Sequence, residues 1–339
     1  MIIQCMKDGC MEFTSEEYCE EKALIWDDFV LNKSMNGTFL QTRRFINYHK
    51  PGKFKDASLL FYKGQDIVAV VLACKIEIDD RLYFFSHRGT TFGGLIIAKN
   101  IYSATAISEL MDTFEDKVKS LGFSSCYMKQ TATIFQKNNT DLIDYFFYQK
   151  GYKEYTELNY YMNLSNYKID VVSQFSSGKR RDYRYSLKNN LQFTILEEPE
   201  KIGQFYEILL LNLKKLGLEC VHSFEDLIDL KFHRFYDEIE FYGVYHNNEM
   251  IAGSMIFMFD QKIFHTQYLA SNQEYLFMYP MDFLITNLIQ TAVNKGMETF
   301  TFGICTEEQG KYINLGLSRF KEGFGADYSL NKSYEKKIL

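Results

Sequence analysis

Residues 298–326 read ETFTFGICTEEQGKYINLGLSRFKEGFGA, and this stretch decides how the chain is organised. Thr299–Phe302 is β-branched and aromatic, as in a buried strand, and a glycine follows where backbone must pass closely. Ile313, Leu317 and Phe320 then recur at helical spacing, and glycines end the helix. Because α/β folds bind ligands where a strand feeds a helix through a polar loop, we expect the floor of a site here.

The order of elements in this half of the chain repeats an earlier order. In each half a strand hairpin and a third strand precede a long helix, another strand and a short helix that ends in a glycine and an aromatic residue. Gly296 matches Gly122, and Gly323 matches Gly151. Each pair is about 170 residues apart, far above the period of solenoid repeats. The sequence therefore predicts a duplicated α/β domain.

The boundary between the copies is predicted from a change in composition. From Ser165 to Asn190 the chain is rich in Ser, Gly, Lys, Arg and Asn and poor in apolar residues. We therefore predict an N-terminal domain over residues 1–164, a basic linker helix over 165–190, and a C-terminal domain over 191–339 that carries the site.

Composition limits the classes of protein to consider. The chain has 339 residues and 46% hydrophobic content, enough for a large core in two domains. No apolar run reaches the roughly 20 residues of a membrane span, and residues 1–10 lack the features of a signal peptide, so we expect no membrane insertion and a cytoplasmic protein. Seven scattered cysteines favour neither a disulfide framework nor a metal site. The net charge of −6 argues against DNA as a partner.

Two short endings carry a resemblance to a known family. FYQKGY at residues 147–152 is similar to the aromatic-x-x-x-Gly-aromatic signature of the GNAT acyltransferases, whose element order each copy resembles. The duplication, the basic segment and RFKEGFG at 319–325 together resemble the FemABX group of tandem GNAT proteins and their relatives with a biotin-synthesis-like acetyltransferase domain. This resemblance covers nearly the whole chain. It implies two tandem GNAT-like α/β domains, each with a mixed central sheet flanked by helices.

The resemblance also implies a function. FemABX-like proteins transfer an acyl or aminoacyl group to an amine of a bacterial cell-wall (peptidoglycan) peptide or surface-polysaccharide precursor, with aminoacyl-tRNA or acyl-CoA as the possible co-substrate and no tightly bound cofactor. Two alternatives stay open. One is an acetyl-CoA-dependent N-acetyltransferase acting on an amino sugar or small amine, and the other is a degenerate tandem GNAT module that only binds.

The sequence departs from GNAT enzymes that use acyl-CoA. Those enzymes usually hold the pyrophosphate in a Gln/Arg-x-x-Gly-x-Gly/Ala loop before the long helix. Here residues 271–279 contain no glycine and include an acidic residue, while residues 87–94 have glycines at another spacing. The tyrosine that often protonates the leaving thiolate is replaced by Phe147 in the first copy and Arg319 in the second. Acyl-CoA is therefore the less expected donor.

The second copy supplies the predicted catalytic residues Lys321, Phe320 and His222. Lys321 could hold an anionic acceptor or offset the charge of a tetrahedral intermediate; the alternative is a surface lysine at a helix end. His222 lies in a segment similar to Pro-Thr-His-Ser/Thr-x-Glu of the polysaccharide-associated relatives and could act as a general base. The alternative is a histidine at a helix start with Ser223 as N-cap.

The predicted substrate-binding residues are basic and aromatic. Arg180 and Arg184 lie four residues apart on one helix face and could bind phosphate, unless they are only a solvated charged face. Tyr268 would lie near the acyl carbonyl if the third strand of the second copy opens, although simple alternation of core and surface explains it equally well. Tyr279 and Arg319 complete this predicted set.

Overall fold

The computed structural model describes residues 13–167 and 169–339. The expectation of no signal peptide rests on residues 1–10, which lie outside the described residues. The chain forms two compact units: unit 1 comprises the described residues up to Thr156 together with Asn331–Leu339, and unit 2 comprises Glu157–Leu330. The predicted boundaries at 164/165 and 190/191 stay a prediction. The compact units differ from them because the C-terminal strand ends in unit 1 and the basic helix belongs to unit 2.

The first half of the chain supplies the elements of unit 1 and the strand β9, most of which belongs to unit 2. In chain order they are β1 (Phe13–Glu17), α1 (Ala23–Asp28), α2 (Arg43–Ile46), β2 (Lys55–Asp56), β3 (Leu59–Lys63), β4 (Asp66–Val71), β5 (Cys74–Ile78), β6 (Arg81–Ser86), β7 (Leu95–Ile97), α3 (Ala104–Ser120), β8 (Ser125–Lys129), α4 (Asp141–Gln149) and β9 (Lys153–Asn163).

The second half supplies the elements of unit 2 and the returning strand. They are α5 (Ser177–Ser186), β10 (Gln192–Ile195), α6 (Pro199–Lys215), α7 (Phe224–Asp229), β11 (Ile239–His246), β12 (Glu249–Phe259), β13 (Ile263–Ser271), α8 (Pro280–Asn294), β14 (Thr299–Ile304), β15 (Thr306–Glu307), β16 (Tyr312–Ile313), α9 (Leu315–Glu322) and β17 (Asp327–Lys337).

Each unit is built on a mixed sheet, as predicted. In unit 1 the strand order is β2-β5-β6-β8-β17, with β6 and β8 parallel, and a second antiparallel sheet has the order β1-β3-β4-β7. In unit 2 the order is β10-β11-β12-β13-β14-β9, with β13 and β14 parallel. The parallel pair in each unit is joined by a long helix, α3 or α8, as a crossover connection requires. The predicted α/β fold class is confirmed.

The long helices cover these sheets with apolar faces. In α3, Ser103 caps the N-terminus through the backbone N–H of Ala106, and Leu110 and Phe114 are fully buried against the sheets of unit 1. Helix α8 buries Leu284, Ile285, Leu288 and Ile289 in the core of unit 2. Burying a side chain of this size contributes about 1.5–3 kcal/mol.

The prediction that the last helix has an apolar face with Ile313 and Leu317 is wrong. Ile313 pairs with Thr306 in a short hairpin, because α9 begins only at Leu315. Asn314 caps this helix by accepting from the N–H of Leu317 at 3.0 Å, and the Leu317 side chain is exposed. The buried residues of α9 are polar: they are Ser318 and Lys321, one helical turn apart. The buried face of α9 therefore carries polar side chains, while Leu315 and Leu317 are exposed.

Candidate active site

The parallel strands β13 and β14 diverge soon after they meet. They pair only over Ile263–His265 and Thr299–Thr301; beyond these residues β13 continues along β12, and β14 continues along β9. At that point β14 has an irregular register, and Gly303 takes a φ of 73°, a left-handed conformation that favours glycine. Beyond this point β13 and β14 therefore no longer pair with each other along their facing edges.

A β-bulge in β13 places the predicted residue Tyr268 on the same face as His265. Tyr268 pairs with Met255 and Thr266 with Ile256, so Gln267 is an extra residue in β13. His265 pairs with Phe257, and because Met255 and Phe257 are two residues apart on β12 they share a face. Their partners Tyr268 and His265 therefore also share a face, although simple alternation would separate them.

Lys321 lies at the divergence and is buried. Its side chain enters from α9, only 3% of the residue is exposed, and its Nζ donates hydrogen bonds to the backbone carbonyls of Gly303 at 2.9 Å and Ile304 at 2.7 Å. Burial lowers the pKa of the ammonium to about 8. The alternative of a surface lysine is therefore wrong. Two of its three hydrogens are bonded to carbonyls at the end of β14.

His265 is the second titratable group at the divergence. The Cε1 of its ring lies 3.4 Å from the place a Cβ would take at Gly303, so the imidazole lies close to the backbone of β14. Burial, together with the positive charge of Lys321, lowers the pKa of His265 to about 4. The imidazole is therefore neutral at physiological pH.

A hydrogen-bond network of hydroxyl groups, which the sequence did not single out, lies next to Lys321. The buried Tyr160 hydroxyl contacts the hydroxyl of Ser318 and donates to the carboxylate of Glu322 at 3.2 Å, and Ser318 donates to the same oxygen at 2.9 Å. Lys321 Nζ lies 5.5 Å from the centre of the Tyr160 ring. Burial raises the pKa of Tyr160 to about 12, so its hydroxyl stays protonated. The only sequence signal for this network was the polar spacing of residues 318 and 322.

The structure brings His222 and Tyr268 together. The Nδ1 of the buried His222 is 2.7 Å from the Tyr268 hydroxyl, and the carbonyl oxygen of His222 accepts from Tyr206 at 3.1 Å. Ser223 caps α7 with a capping box to Asp226, as the structural alternative expected. The alternative of a capped helix start is therefore confirmed, and the capped turn places the imidazole against Tyr268, while the general-base role of His222 stays a prediction.

The basic helix α5 contacts α8 and α9 through Lys179 and carries two of the predicted substrate-binding residues. Arg180 donates to the carbonyl of Ser173 at 3.3 Å, and the exposed Arg184 donates to the carbonyl of Arg180 at 3.2 Å, so both guanidinium groups remain close to the helix surface. The Tyr279 ring stacks on Tyr185 of α5, with ring centroids 5.8 Å apart. This surface combines cationic and aromatic side chains.

Arg319 and Phe320 directly precede Lys321 on α9. The Phe320 ring is half-buried, and Lys179 Nζ of α5 lies 4.1 Å from its centre. Arg319 is exposed and donates to the carbonyl of Leu315 at 3.2 Å. Their assignment to catalysis and substrate binding stays a prediction, as does that of the other site residues.

Comparison with known proteins identifies the fold. Residues 176–322 match the family model described as an acetyltransferase (GNAT) domain. The chain is similar to the crystal structure of FemX at 12% identity and a TM-score of 0.68, over 96% of this chain and 97% of that one. It is similar to L-PGS from Bacillus licheniformis at 14% identity and a TM-score of 0.58, over 95% and 93%.

A further likeness concerns the duplication itself. The chain is similar to a tandem GNAT protein from the clavulanic acid biosynthesis pathway at 6% identity and a TM-score of 0.56, over 97% and 98% of the two chains. No curated protein matches the sequence. The predicted resemblance to the FemABX-like tandem GNAT proteins is confirmed at the level of the fold.

Within residues 13–167 and 169–339, no helix is long and apolar enough to cross a membrane. In the same part of the chain, no three His, Cys, Asp or Glu side chains are grouped so that they could hold a metal ion.

Proposed function

We propose that this chain, a tandem GNAT protein of FemABX-like fold, is an acyl- or aminoacyltransferase whose active site lies at the divergence of β13 and β14 in unit 2. The observation that carries the proposal is the buried Lys321, whose ammonium is held on the carbonyls of Gly303 and Ile304. A buried ammonium with one hydrogen to spare suits a reaction in which negative charge develops on a carbonyl oxygen.

The reaction follows from this arrangement. The acyl carbonyl of the donor lies between the strands, where the bulge at Gln267 and the ammonium of Lys321 offer hydrogen-bond donors. The acceptor amine attacks the carbonyl carbon, so a C–N bond forms and the carbonyl oxygen becomes an oxyanion that Lys321 stabilises. The C–O or C–S bond of the donor then breaks, and the proton from the amine passes to the leaving oxygen or sulfur.

His222 and Tyr268 supply a route for that proton. The imidazole holds the tyrosine hydroxyl at 2.7 Å, and Tyr268 lies on the same face of β13 as His265 at the divergence. His222 can therefore take a proton through the Tyr268 hydroxyl and return it later, as a general base that becomes a general acid.

For the donor we propose aminoacyl-tRNA. The segment that follows β13 contains no glycine, and its residues Gln273–Met278 form a 3₁₀ helix instead of a phosphate-binding loop. The basic and aromatic surface of α5, with Arg180 and Arg184, offers contacts for the phosphates and bases of an RNA end. For the acceptor we propose an amine of a cell-wall peptide or surface-polysaccharide precursor, the class implied by the resemblance of the RFKEGFG ending.

A transfer assay on the full chain tests the proposal. The protein is incubated with charged tRNA or acetyl-CoA as donor and with a cell-wall pentapeptide precursor or a nucleotide-linked amino sugar as acceptor, and products are identified by mass spectrometry. We expect an aminoacylated product that disappears in Lys321→Met. Product from acetyl-CoA in place of charged tRNA would overturn the donor assignment.

One observation favours a second function. The family model that matches residues 176–322 is described as an acetyltransferase domain, so an acetyl-CoA-dependent N-acetyltransferase acting on an amino sugar or small amine is the alternative. The melting temperature separates the two, because a ligand that binds only the folded state raises it. A rise with CoA favours the acetyltransferase, and a rise only with charged tRNA or its 3′ end favours the aminoacyltransferase.

A further inference from the structure

The N-terminus of α8 already contains a negative charge. The helix starts at Pro280, after Tyr279 in a left-handed conformation with φ 57°, and its first turn contains Asp282, which is only 7% exposed. Proline contributes no N–H at this end, so one of the donors that an anion would use is missing. The acidic side chain in the first turn interacts favourably with the positive end of the helix dipole.

Asp282 is paired with a lysine from the basic helix. Its Oδ1 lies 2.7 Å from Lys179 Nζ, and the two side chains are only 9% and 14% exposed. The ammonium also lies 4.1 Å from the centre of the Phe320 ring and 4.9 Å from that of Phe324. Lys179 therefore points away from the exposed face of α5, into a closed contact between α5, α8 and α9.

The Lys179–Asp282 pair bears on whether a phosphate group can bind at the N-terminus of α8. A free helix N-terminus after a strand attracts the phosphates of nucleotides and coenzymes, since its backbone N–H groups and dipole favour negative charge. Here the carboxylate of Asp282 lies in the first turn of α8, and the ammonium of Lys179 neutralises it. A diphosphate at this end of the helix would meet the repulsion of the carboxylate.

We propose that the Lys179–Asp282 pair closes the N-terminus of α8 to diphosphate groups and so makes unit 2 reject coenzyme A donors. This inference rests on the proposed function, since it explains at the level of two residues why the donor is not acyl-CoA. It assigns Asp282 as a residue that determines donor specificity and Lys179 as its neutralising partner.

Removal of the carboxylate should create an anion site. In Asp282→Ser, Lys179 loses its counter-charge and lies beside a helix N-terminus whose first turn no longer carries this carboxylate. We expect the variant to bind CoA and inorganic pyrophosphate at least about tenfold more tightly than the unmodified chain, the effect of one charge-assisted contact, and to lose this gain as salt is raised. Isothermal titration of the full chain measures both affinities.

A double variant is the matched control. Lys179→Met with Asp282→Ser removes both charges, so its affinity for CoA and pyrophosphate should return to that of the unmodified chain. Asp282→Asn keeps the size of the side chain and its hydrogen bond to Lys179, and it replaces the serine variant if that one fails to fold. The proposal is overturned if the folded single variants gain no affinity, or if the unmodified chain already binds CoA as tightly as they do.

This readout is independent of catalysis. Failure of the transfer assay with every donor would remove the proposed function and leave the titration result standing. Conversely, aminoacyl transfer by a chain whose Asp282 variants gain no CoA affinity would keep the function and remove only the role of this pair.

Discussion

The two units end their last helices with related sequences and opposite burial. In unit 1, FYQKGY at residues 147–152 closes α4, and in unit 2, RFKEGF at 319–324 closes α9, glycine matching glycine. The position of Lys321 corresponds to Gln149, which is exposed, whereas Lys321 is 3% exposed. Tyr148, at the position of Phe320, is 76% exposed.

The comparison shows that the fold does not require the buried lysine. Unit 1 closes the same turn with apolar side chains: Phe147 is fully buried and stacks on Tyr334, with centroids 4.5 Å apart. Burying an ammonium carries a desolvation penalty that an apolar residue avoids. Unit 1 forms this ending with the exposed Gln149 at the same position, so the ending itself does not require the charge in unit 2.

The parallel strands of the two units also differ in which groups contact them. In unit 1 the loop after β6 returns over the parallel strands, where the N–H of Gly93 donates to the carbonyl of Lys129 at 3.0 Å and the N–H of Leu95 donates to Gln130 Oε1 at 3.3 Å. In unit 2 the corresponding space lies between β13 and β14, where carbonyls of β14 accept from Lys321. The backbone fills the opening in one unit, and a titratable side chain reaches it in the other.

The largest expected effect comes from exchanging this lysine. Lys321→Met keeps the length of the side chain and removes its charge, so turnover in the transfer assay should fall about 100- to 1,000-fold, the usual loss for one donor to an oxyanion. Gln149→Met, the matched change in unit 1, should leave turnover and melting temperature unchanged because the side chain is exposed. Retained turnover in the lysine variant would make Lys321 a structural brace for β14.

The pH dependence of turnover should show the same group. The pKa of Lys321 is lowered to about 8, so the ammonium is present below that pH and is lost above it. Turnover should therefore fall about tenfold per pH unit above pH 8, since only the protonated form stabilises the oxyanion. In Lys321→Arg the guanidinium stays protonated, so this decline should vanish at alkaline pH. An unchanged decline in the arginine variant would assign it to the acceptor or to another residue.

The sequence predicted the repeated strands and helices because apolar periodicity and glycines mark them. It also found Lys321 through its motif, but not its burial, since a lysine near a helix end is usually exposed. The common face of His265 and Tyr268 depends on the bulge at Gln267, which no alternation of residue types reveals. The pairing of Lys179 with Asp282 joins distant parts of the chain, and only the tertiary fold brings them together.

The aromatic residues next to the compared position should contribute differently to the free energy of unfolding, because they differ in burial. Phe320 is half-buried and packs on Phe324, so Phe320→Ala should lower the free energy of unfolding by about 1–2 kcal/mol, less than the roughly 3–5 kcal/mol of a fully buried aromatic residue. Tyr148→Ala, at the matching position of unit 1, should change it by less than about 0.5 kcal/mol. Urea unfolding measures both. Equal losses would show that the two helix ends are equivalent.

The smallest effect is expected on the basic helix α5. Arg184 is exposed, and its guanidinium donates to the backbone carbonyl of Arg180 through Nε, so we expect it to be able to bind phosphate. Arg184→Gln should weaken donor binding about threefold to tenfold at low salt, and the difference should shrink as salt screens the charge. Arg181→Gln is the control, because Arg181 is already paired with Asp182 at 3.0 Å. Titration of charged tRNA, or of pyrophosphate as a smaller probe, at two salt concentrations measures both variants. Equal losses in the two would indicate only a general attraction of the helix for anions, whereas a larger, salt-sensitive loss in Arg184→Gln assigns a specific phosphate contact to that face.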